Sequence, residues 1–157
     1  MKRLTWLGIF LAILLLVSVP VFGQDTFKIG ANLEMTGSVA AYGQMINEGV
    51  DLIMDIVGTE VLGKQIEYVL VDYKSDKVEA ANAATRLIDK EKVVAIIGPA
   101  ISGSMLSAGP ICEEKKIPQI SATSTNPLVT QDKKYSFRAT FIDSYQGLAA
   151  AQYAYVD

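Results

Sequence analysis

Short apolar runs alternate with longer segments of helical spacing along most of this 157-residue chain. The clearest apolar runs cover residues 27–34, 65–73 and 93–98, and weaker ones follow at 117–121 and 135–140. When a helix lies between two strands, it returns the chain to the same end of the sheet, so the strands pair in parallel. The pattern therefore predicts an α/β fold with a doubly wound, mostly parallel sheet.

The segments between these runs have the spacing of helices that pack on a sheet. Residues 77–90 and, more weakly, Ser104–Lys115 are predicted helices, the latter interrupted by Gly109 and Pro110. Residues 41–57 carry the clearest apolar stripe, made of Met45, Ile46, Val50, Ile53, Met54 and Val57. We expect that stripe to face the sheet.

The first 23 residues have the pattern of a secretory signal peptide. Two basic residues precede an apolar run from Leu4 to Val19, and Pro20 and the small Gly23 follow it. A membrane anchor is the alternative, since the run is only slightly shorter than the roughly 20 residues that a spanning helix needs. We expect cleavage after Gly23 and export of the remaining chain.

The composition of residues 24–157 argues against several classes of function. This part has 12 basic and 17 acidic side chains, a formal charge of −5, which disfavours nucleic acid as a partner. It has no His, the commonest general base and metal ligand, and its single Cys112 cannot form an internal disulfide. Asp72 and Asp76 could hold a metal, but a solvated loop is the simpler interpretation. We expect no enzyme, no metal and no cofactor.

Three loops that follow predicted strands are polar, and ligands bind at this end of parallel strands. They are "EMTGSVAAYG" after the first strand, "GPAISGS" after the third and "SATSTNP" after the fourth. The second is no phosphate loop, because Ser104 stands where that motif requires Lys. A helix start with free N–H groups and hydroxyls suits a single carboxylate. Alternatively, Ser102 only caps its helix.

The other two loops offer further candidates with equally plain alternatives. Hydroxyls such as those of Thr123 and Thr125 can contact a polar ligand, or they can stabilise an ordinary turn at Asn126–Pro127. Tyr42 can lie against a ligand or pack against protein.

The order of these features resembles that of periplasmic solute-binding proteins of the leucine/isoleucine/valine-binding type, which serve ABC transporters. The resemblance rests on "KIGANLEMTGSVAAYGQMINEGVDL", "VLGKQIEYVLVDYKSD", "AANAATRLIDKEKVVAIIGPAISG", "IPQISATSTNPLVT" and "FRATFIDSYQGLAAAQYA". These segments occur in family order over residues 27–155. The resemblance implies the lobe of a type I periplasmic binding protein, one of two lobes that close around an amino acid or similar solute.

The resemblance also implies roles for four residues. The residues that match Ser102 and Thr125 hold the ligand carboxylate, the residue that matches Thr123 offers its backbone to the ammonium, and Tyr42 lines the cleft. The chain departs from the family pattern at "DIVGTEVLGK", where a glycine-rich loop is usual. That change affects a surface loop more than the cleft.

The resemblance further implies how the chain divides. We expect a signal peptide at 1–23, an incomplete N-terminal lobe at 24–141, and a crossover with the start of a second lobe at 142–157. The second lobe normally supplies an acidic partner for the ammonium, so we expect a truncated lobe that does not bind an amino acid tightly alone.

The function implied is that of an exported solute-binding component of an ABC transporter, which binds an amino acid or amide and docks on a membrane permease. At full length we expect a monomer. The alternative is a ligand-sensing domain of a receptor or an amide-responsive regulator. Branched-chain, other neutral or acidic amino acids and urea or amide analogues all remain open as ligands.

Overall fold

The chain is described here from a computed structural model, which covers residues 25–156. The strands are β1 (Thr26–Leu33), β2 (Glu60–Val61), β3 (Lys64–Asp72), β4 (Ala95–Ile97), β5 (Gln119–Ser121) and β6 (Ser136–Arg138). The helices are α1 (Ala40–Val57), α2 (Lys77–Asp89), α3 (Ser102–Lys115) and α4 (Asp143–Val156), with a 3₁₀ turn at Pro127–Val129. The predicted signal peptide lies outside the described residues.

These strands form one sheet in the order β2-β3-β1-β4-β5-β6, and every pairing except β2–β3 is parallel. Helices lie on both faces, which confirms the predicted α/β, doubly wound architecture. Parallel pairing also places the carboxyl ends of β1, β4 and β5 at one edge of the sheet, next to the loops predicted to bind a ligand.

The main core lies between one face of the sheet and helices α2 and α3. It is built from buried apolar side chains that the helical and strand periods bring to the same side, namely Ala84, Leu87, Ile88, Val93, Ile96, Ala108 and Cys112. Burial, with a further contribution from Glu113, raises the pKa of the Cys112 thiol to about 12. This cysteine therefore behaves as a small apolar core residue.

Helix α1 lies on the opposite face and covers only part of it. The Tyr68 hydroxyl of β3 donates to the Asn47 side chain of α1 at 2.9 Å, which ties the helix to the β3 side of the sheet. Gly43 is the buried residue of α1. The expectation that the whole apolar stripe faces the sheet is wrong, because Met45 and Val57 are 60% and 66% exposed.

The other half of that face, next to β5 and β6, is open among the described residues. Ile120 and Phe137 share this face because they are paired in register, and they are 42% and 48% exposed. Helix α4 buries none of its residues. Within residues 25–156, no helix combines the length and apolar character needed to cross a bilayer.

A short antiparallel hairpin that we did not predict precedes β3. The turn between β2 and β3 consists of Leu62 and Gly63, with φ values of +54° and +74°. Two positive φ values are typical of the type I′ hairpin turn, which favours Asn-Gly. Leucine rarely adopts this conformation, so the sequence carries a weak turn signal here.

Candidate functional site

The second polar loop, residues 98–104, begins where β4 ends beside β1. Gly98 follows β4 with φ at +91°, and a Cβ atom there would lie 2.3 Å from the carbonyl oxygen of Asn32. Only glycine fits this close approach of two backbones. The chain then continues through buried Pro99 and Ala100 to α3. The glycine that ends the predicted strand is thus required by β1–β4 packing.

Helix α3 begins at Ser102, two residues earlier than predicted. Its N-cap is Ile101, which makes no capping hydrogen bond through its side chain, so Ser102 does not cap the helix. The first bond of the helix runs from the Met105 N–H to the Ile101 carbonyl at 2.9 Å. The N–H groups of residues 102–104 therefore point out of the helix start, where the partial positive charge favours an anion.

The loop after β5 is held against the loop after β4 by three buried or half-buried hydroxyls. Ser121 donates to the Pro99 carbonyl at 2.6 Å, and Ser124 and Thr123 donate to the Ala100 carbonyl at 2.9 and 2.8 Å. We call residues 98–104 and 121–126 the paired loops. Because the Thr123 hydroxyl is engaged in this contact, its backbone is the part left for a ligand.

Ser102 and Thr125 meet at the junction of the paired loops. The Asn126 N–H donates to the Ser102 hydroxyl oxygen at 3.3 Å, which leaves the hydroxyl proton of Ser102 available to another acceptor. Thr125 is half-buried, and its carbonyl accepts from the Asp143 N–H at 3.0 Å. Its hydroxyl donates to none of the described residues. The structure therefore brings together three of the four predicted residues, Ser102, Thr123 and Thr125.

Arg138 of β6 fixes the far end of the second loop. Its guanidinium donates to the carbonyls of Asn126 and Pro127 at 2.9 and 3.0 Å and also to the Thr130 hydroxyl. A planar donor with several N–H groups can hold two carbonyls and a hydroxyl at once. Sequence reasoning missed this residue, because the acceptors of its hydrogen bonds are mostly backbone atoms.

Tyr42 lies on the first turn of α1, at the same end of the sheet but outside the paired loops. It is 45% exposed, and no hydrogen bond among the described residues joins its side chain to them. Its position is set by the next residue, because a Cβ atom on Gly43 would lie 2.3 Å from the Glu34 carbonyl oxygen. The first turn of α1 thus rests directly on the end of β1.

Asp72 and Asp76, which could have formed a metal site, have separate structural roles. Asp72 accepts from the N–H groups of Met35 and Thr36 and from the Thr36 hydroxyl at 2.6 Å. Burial raises the pKa of Asp72, but these hydrogen bonds outweigh it and the net shift is downward. Asp76 caps α2 through bonds to two N–H groups. No group of three potential metal-ligating side chains occurs within residues 25–156.

A cavity of about 340 Å³ lies away from the paired loops, between β3 and α2. Its lining includes Asp72 and Arg86 but none of the four predicted residues. The paired loops themselves form an open edge. We place the candidate site at that edge, because the residues that line this cavity include no Ser or Thr hydroxyl and the start of α2 beside it is already capped by Asp76.

Known proteins share both the sequence pattern and this architecture. A leucine-, isoleucine-, valine-, threonine- and alanine-binding protein of Pseudomonas aeruginosa is 30% identical over 132 residues, which cover 82% of this chain and 35% of the relative. The leucine-binding protein LivK of Thermotoga maritima is 49% identical, with a TM-score of 0.79 over 83% of this chain and 37% of that one.

A third similar protein was solved with a ligand that is not an amino acid. This solute-binding protein of an ABC transporter from Rhodopseudomonas palustris, in complex with 3,4-dihydroxybenzoic acid, is 32% identical with a TM-score of 0.73. The match covers 76% of this chain and 33% of that one. This chain therefore spans well under half the length of these similar proteins.

The family described as "Periplasmic binding protein" matches residues 26–156, almost all of the chain after the predicted signal peptide. The fold, the order of the polar loops and these similarities agree with one another. The chain belongs to the periplasmic binding protein family.

Proposed function

We propose that this chain is part of the exported solute-binding component of an ABC transporter and that it binds an amino acid, branched-chain or otherwise neutral, for uptake. The observation that carries the proposal is the start of α3. Its free N–H groups and the Ser102 hydroxyl face an edge that three hydroxyls of the neighbouring loop hold in place. Such an arrangement binds a carboxylate without needing a cationic side chain.

In this mechanism the ligand carboxylate accepts hydrogen bonds from the N–H groups at the start of α3 and from the hydroxyls of Ser102 and Thr125. The Thr123 backbone receives the ammonium, and Tyr42 lines the side of the cleft. None of these groups has to gain or lose a proton, so the site holds its ligand unchanged and the protein is not an enzyme. A screen of ester substrates would reveal hydrolysis if that view were wrong.

The similar proteins support a carboxylate as the shared part of the ligand. The Pseudomonas protein is described as binding leucine, isoleucine, valine, threonine and alanine, the Thermotoga protein as binding leucine, and the Rhodopseudomonas protein as a complex with 3,4-dihydroxybenzoic acid. A carboxylate is common to all these ligands, whereas an ammonium is not. We therefore assign the carboxylate to the paired loops and leave the choice of side chain to the rest of the cleft.

The domain division and partners follow from the same proposal. Residues 1–23 would be removed on export, residues 24–141 would belong to the N-terminal lobe, and residues 142–157 would cross to a second lobe. Closure of two lobes would bury the ligand and create the surface that docks on a membrane permease. The complete protein would act as a monomer.

A titration with leucine, followed by the amide resonances of the protein, tests the binding site. We expect shifts at Ser102, Gly103 and Ser104 with an affinity on the order of millimolar, because one lobe buries only part of the ligand. Ser102→Ala should weaken this response severalfold. The matched control is Ser107→Ala, which removes a hydroxyl that only donates to the Gly103 carbonyl within the same helix at 3.1 Å.

Two outcomes would contradict parts of this proposal, the first the carboxylate site and the second the need for another lobe. If leucinamide, which lacks the carboxylate, produced the same shifts as leucine, the paired loops would not be a carboxylate site. Micromolar binding of leucine in calorimetry would show that the second lobe is not needed. For the role in transport, the coding sequence after Asp157 and its neighbouring genes are informative: permease genes support uptake, and a transmembrane helix supports the alternative of a sensory receptor.

A further inference from the structure

A turn with an unusual backbone conformation joins β3 to α2. The Asp76 N–H donates to the Tyr73 carbonyl at 3.0 Å, and the two residues between them, Lys74 and Ser75, have φ values of +56° and +59°. Two positive φ values are typical of the type I′ turn, in which Asn-Gly is the favoured pair. Residues with a Cβ atom disfavour this conformation, which persists only where surrounding contacts hold it. The contacts of this turn therefore need to be identified.

The Asp72 carboxylate joins the turn to the first polar loop, residues 34–43. It accepts from the Lys74 N–H of the turn at 2.8 Å. It also accepts from the Met35 N–H at 2.9 Å and from the Thr36 hydroxyl at 2.6 Å, both in the loop after β1. Hydrogen bonds to an ionised acceptor are stronger than those between neutral groups. Asp72 thus holds the two segments against each other.

Ser75 extends this connection to the start of α1. Its hydroxyl donates to the Thr36 carbonyl at 2.9 Å and accepts from the Val39 N–H at 3.3 Å. Val39 is the N-cap of α1, and its side chain makes no capping hydrogen bond. The Val39 carbonyl accepts from the Tyr42 N–H at 3.1 Å. Successive hydrogen bonds therefore connect the Asp72 carboxylate to the backbone of Tyr42.

Direct contact supports the same connection. A Cβ atom on Gly37 would lie 2.6 Å from the Lys74 carbonyl oxygen and 2.6 Å from the Ser75 hydroxyl oxygen, so the first polar loop lies directly on the turn. On its other side, Gly43 lies against the end of β1. The contact at Gly43 sets the distance of α1 from the sheet, and the hydrogen bonds of Ser75 set the direction in which its first turn points.

We infer that Asp72 and Ser75 are positioning residues for Tyr42. The turn after β3 holds the Ser75 hydroxyl between the first polar loop and the start of α1, and this determines where Tyr42 stands at the ligand-binding edge. That Tyr42 lines a ligand cleft rests on the proposed function. The link from the turn to α1 does not.

Amide hydrogen exchange on the protein recovered after expression of the full sequence tests the link without any ligand. Ser75→Gly removes the hydroxyl but suits the positive φ, so it leaves the turn free of added strain. We expect exchange at the Tyr42 amide to become about fivefold faster, and exchange at Leu87 in α2 to change less than about twofold. The matched control is Lys74→Gly, which relaxes the same turn, keeps the Ser75 hydroxyl and should leave Tyr42 within about twofold.

A conservative variant and a ligand readout separate positioning from general stability. Asp72→Asn keeps an oxygen that accepts from N–H groups, whereas Asp72→Ala keeps none, so exchange at Tyr42 should rise about threefold in the first and about tenfold in the second. In the leucine titration, Ser75→Gly should reduce the shift of the Tyr42 amide severalfold and leave that of Ser102 within about twofold. A general loss of stability would reduce both shifts.

The inference is overturned if Ser75→Gly leaves exchange at Tyr42 within about twofold of the original protein. It is equally overturned if Lys74→Gly has the same effect as Ser75→Gly, or if exchange rises by the same factor at Tyr42 and Leu87. Should Ser75→Gly fail to fold, the Asp72→Asn measurement decides by the same criterion. If the original protein does not respond to leucine, the proposed function fails, and exchange at Tyr42 still decides the link.

Discussion

Adding one methyl group to α1 should have opposite effects at two glycines of the same helix. At Gly43, a Cβ atom would lie 2.3 Å from the carbonyl oxygen and 2.7 Å from the carbonyl carbon of Glu34, whereas at Gly49 it would meet no atom within 4 Å. Both positions lie inside the helix, so alanine at either one gains the same helix propensity, about 1 kcal/mol. The difference between the two variants therefore measures packing against β1.

The expected size follows from these distances. To restore ordinary contact at 3.4 Å, the first turn of α1 must move away from β1 by about 1 Å, because the atoms it meets are backbone. Overpacking of this kind costs about 1–3 kcal/mol, and sometimes more when the obstacle cannot move. The obstacle at Gly43 is backbone, so we take the upper end of that range, about 3 kcal/mol, and subtract the gain in helix propensity of about 1 kcal/mol. We therefore expect Gly43→Ala to lower the free energy of unfolding by about 2 kcal/mol and Gly49→Ala to raise it by about 0.5–1 kcal/mol.

Urea unfolding followed by far-ultraviolet circular dichroism measures both changes. With a slope of about 2 kcal/mol per molar urea, the midpoint should fall by about 1 M for Gly43→Ala and rise slightly for Gly49→Ala. If Gly43→Ala were as stable as Gly49→Ala, the first turn of α1 would not rest on the end of β1. The position assigned to Tyr42 would then be wrong as well.

Three further predictions concern the loops and their charges. Arg138→Met should lower the free energy of unfolding by about 2 kcal/mol, because the carbonyls of Asn126 and Pro127 lose the guanidinium that donates to them. The control is Arg86→Met, which removes an exposed ion pair with Glu91 and should change the free energy of unfolding by less than about 0.5 kcal/mol in the same urea assay. Leu62→Asn should stabilise the β2–β3 turn by about 0.5–1 kcal/mol, because asparagine tolerates the positive φ that leucine disfavours; an unchanged melting temperature would contradict this. Stability should also fall on acidification below pH about 4. The pKa values of Asp72 and Glu113 are lowered in the folded protein, because for each carboxylate the hydrogen bonds that it accepts outweigh the opposing effect of burial. Their stabilisation is therefore present above the unfolded pKa values and is lost as the pH falls through the folded pKa values. Urea midpoints that are equal at pH 3 and pH 6 would refute that assignment.

The exposed face of the sheet beside β5 and β6 can cause the protein to associate, and association would affect all these unfolding measurements. The described residues expose apolar side chains on this side of the sheet, among them Ile120, Phe137 and, on α1, Met45 and Val57. Exposed apolar surface promotes association between molecules and the binding of hydrophobic dyes. Unfolding experiments should therefore be repeated at two protein concentrations. A midpoint that does not depend on concentration indicates that the changes reflect the lobe itself.

The sequence by itself determined the order of strands and helices and the edge at which a ligand can bind. Apolar runs and stripes of helical spacing are formed by residues that lie close together in the chain. The five main strands and three of the helices can therefore be predicted from the sequence to within a few residues. The loops after β1, β4 and β5 then had to meet, because parallel strands end at the same edge. Glycine at position 98 was visible, although its reason, the approach to Asn32, was not.

Only the tertiary structure decided which polar groups at that edge are free. Thr123 and Ser102 look alike as hydroxyls in the sequence, yet the Thr123 hydroxyl donates to a carbonyl 23 residues away, and the Ser102 hydroxyl accepts from a loop 24 residues away. Arg138 likewise donates to the carbonyls of Asn126 and Pro127, which lie 12 and 11 residues earlier in the chain. Hydrogen bonds of this kind depend on three-dimensional distance and leave no periodic pattern, so only the folded chain reveals them.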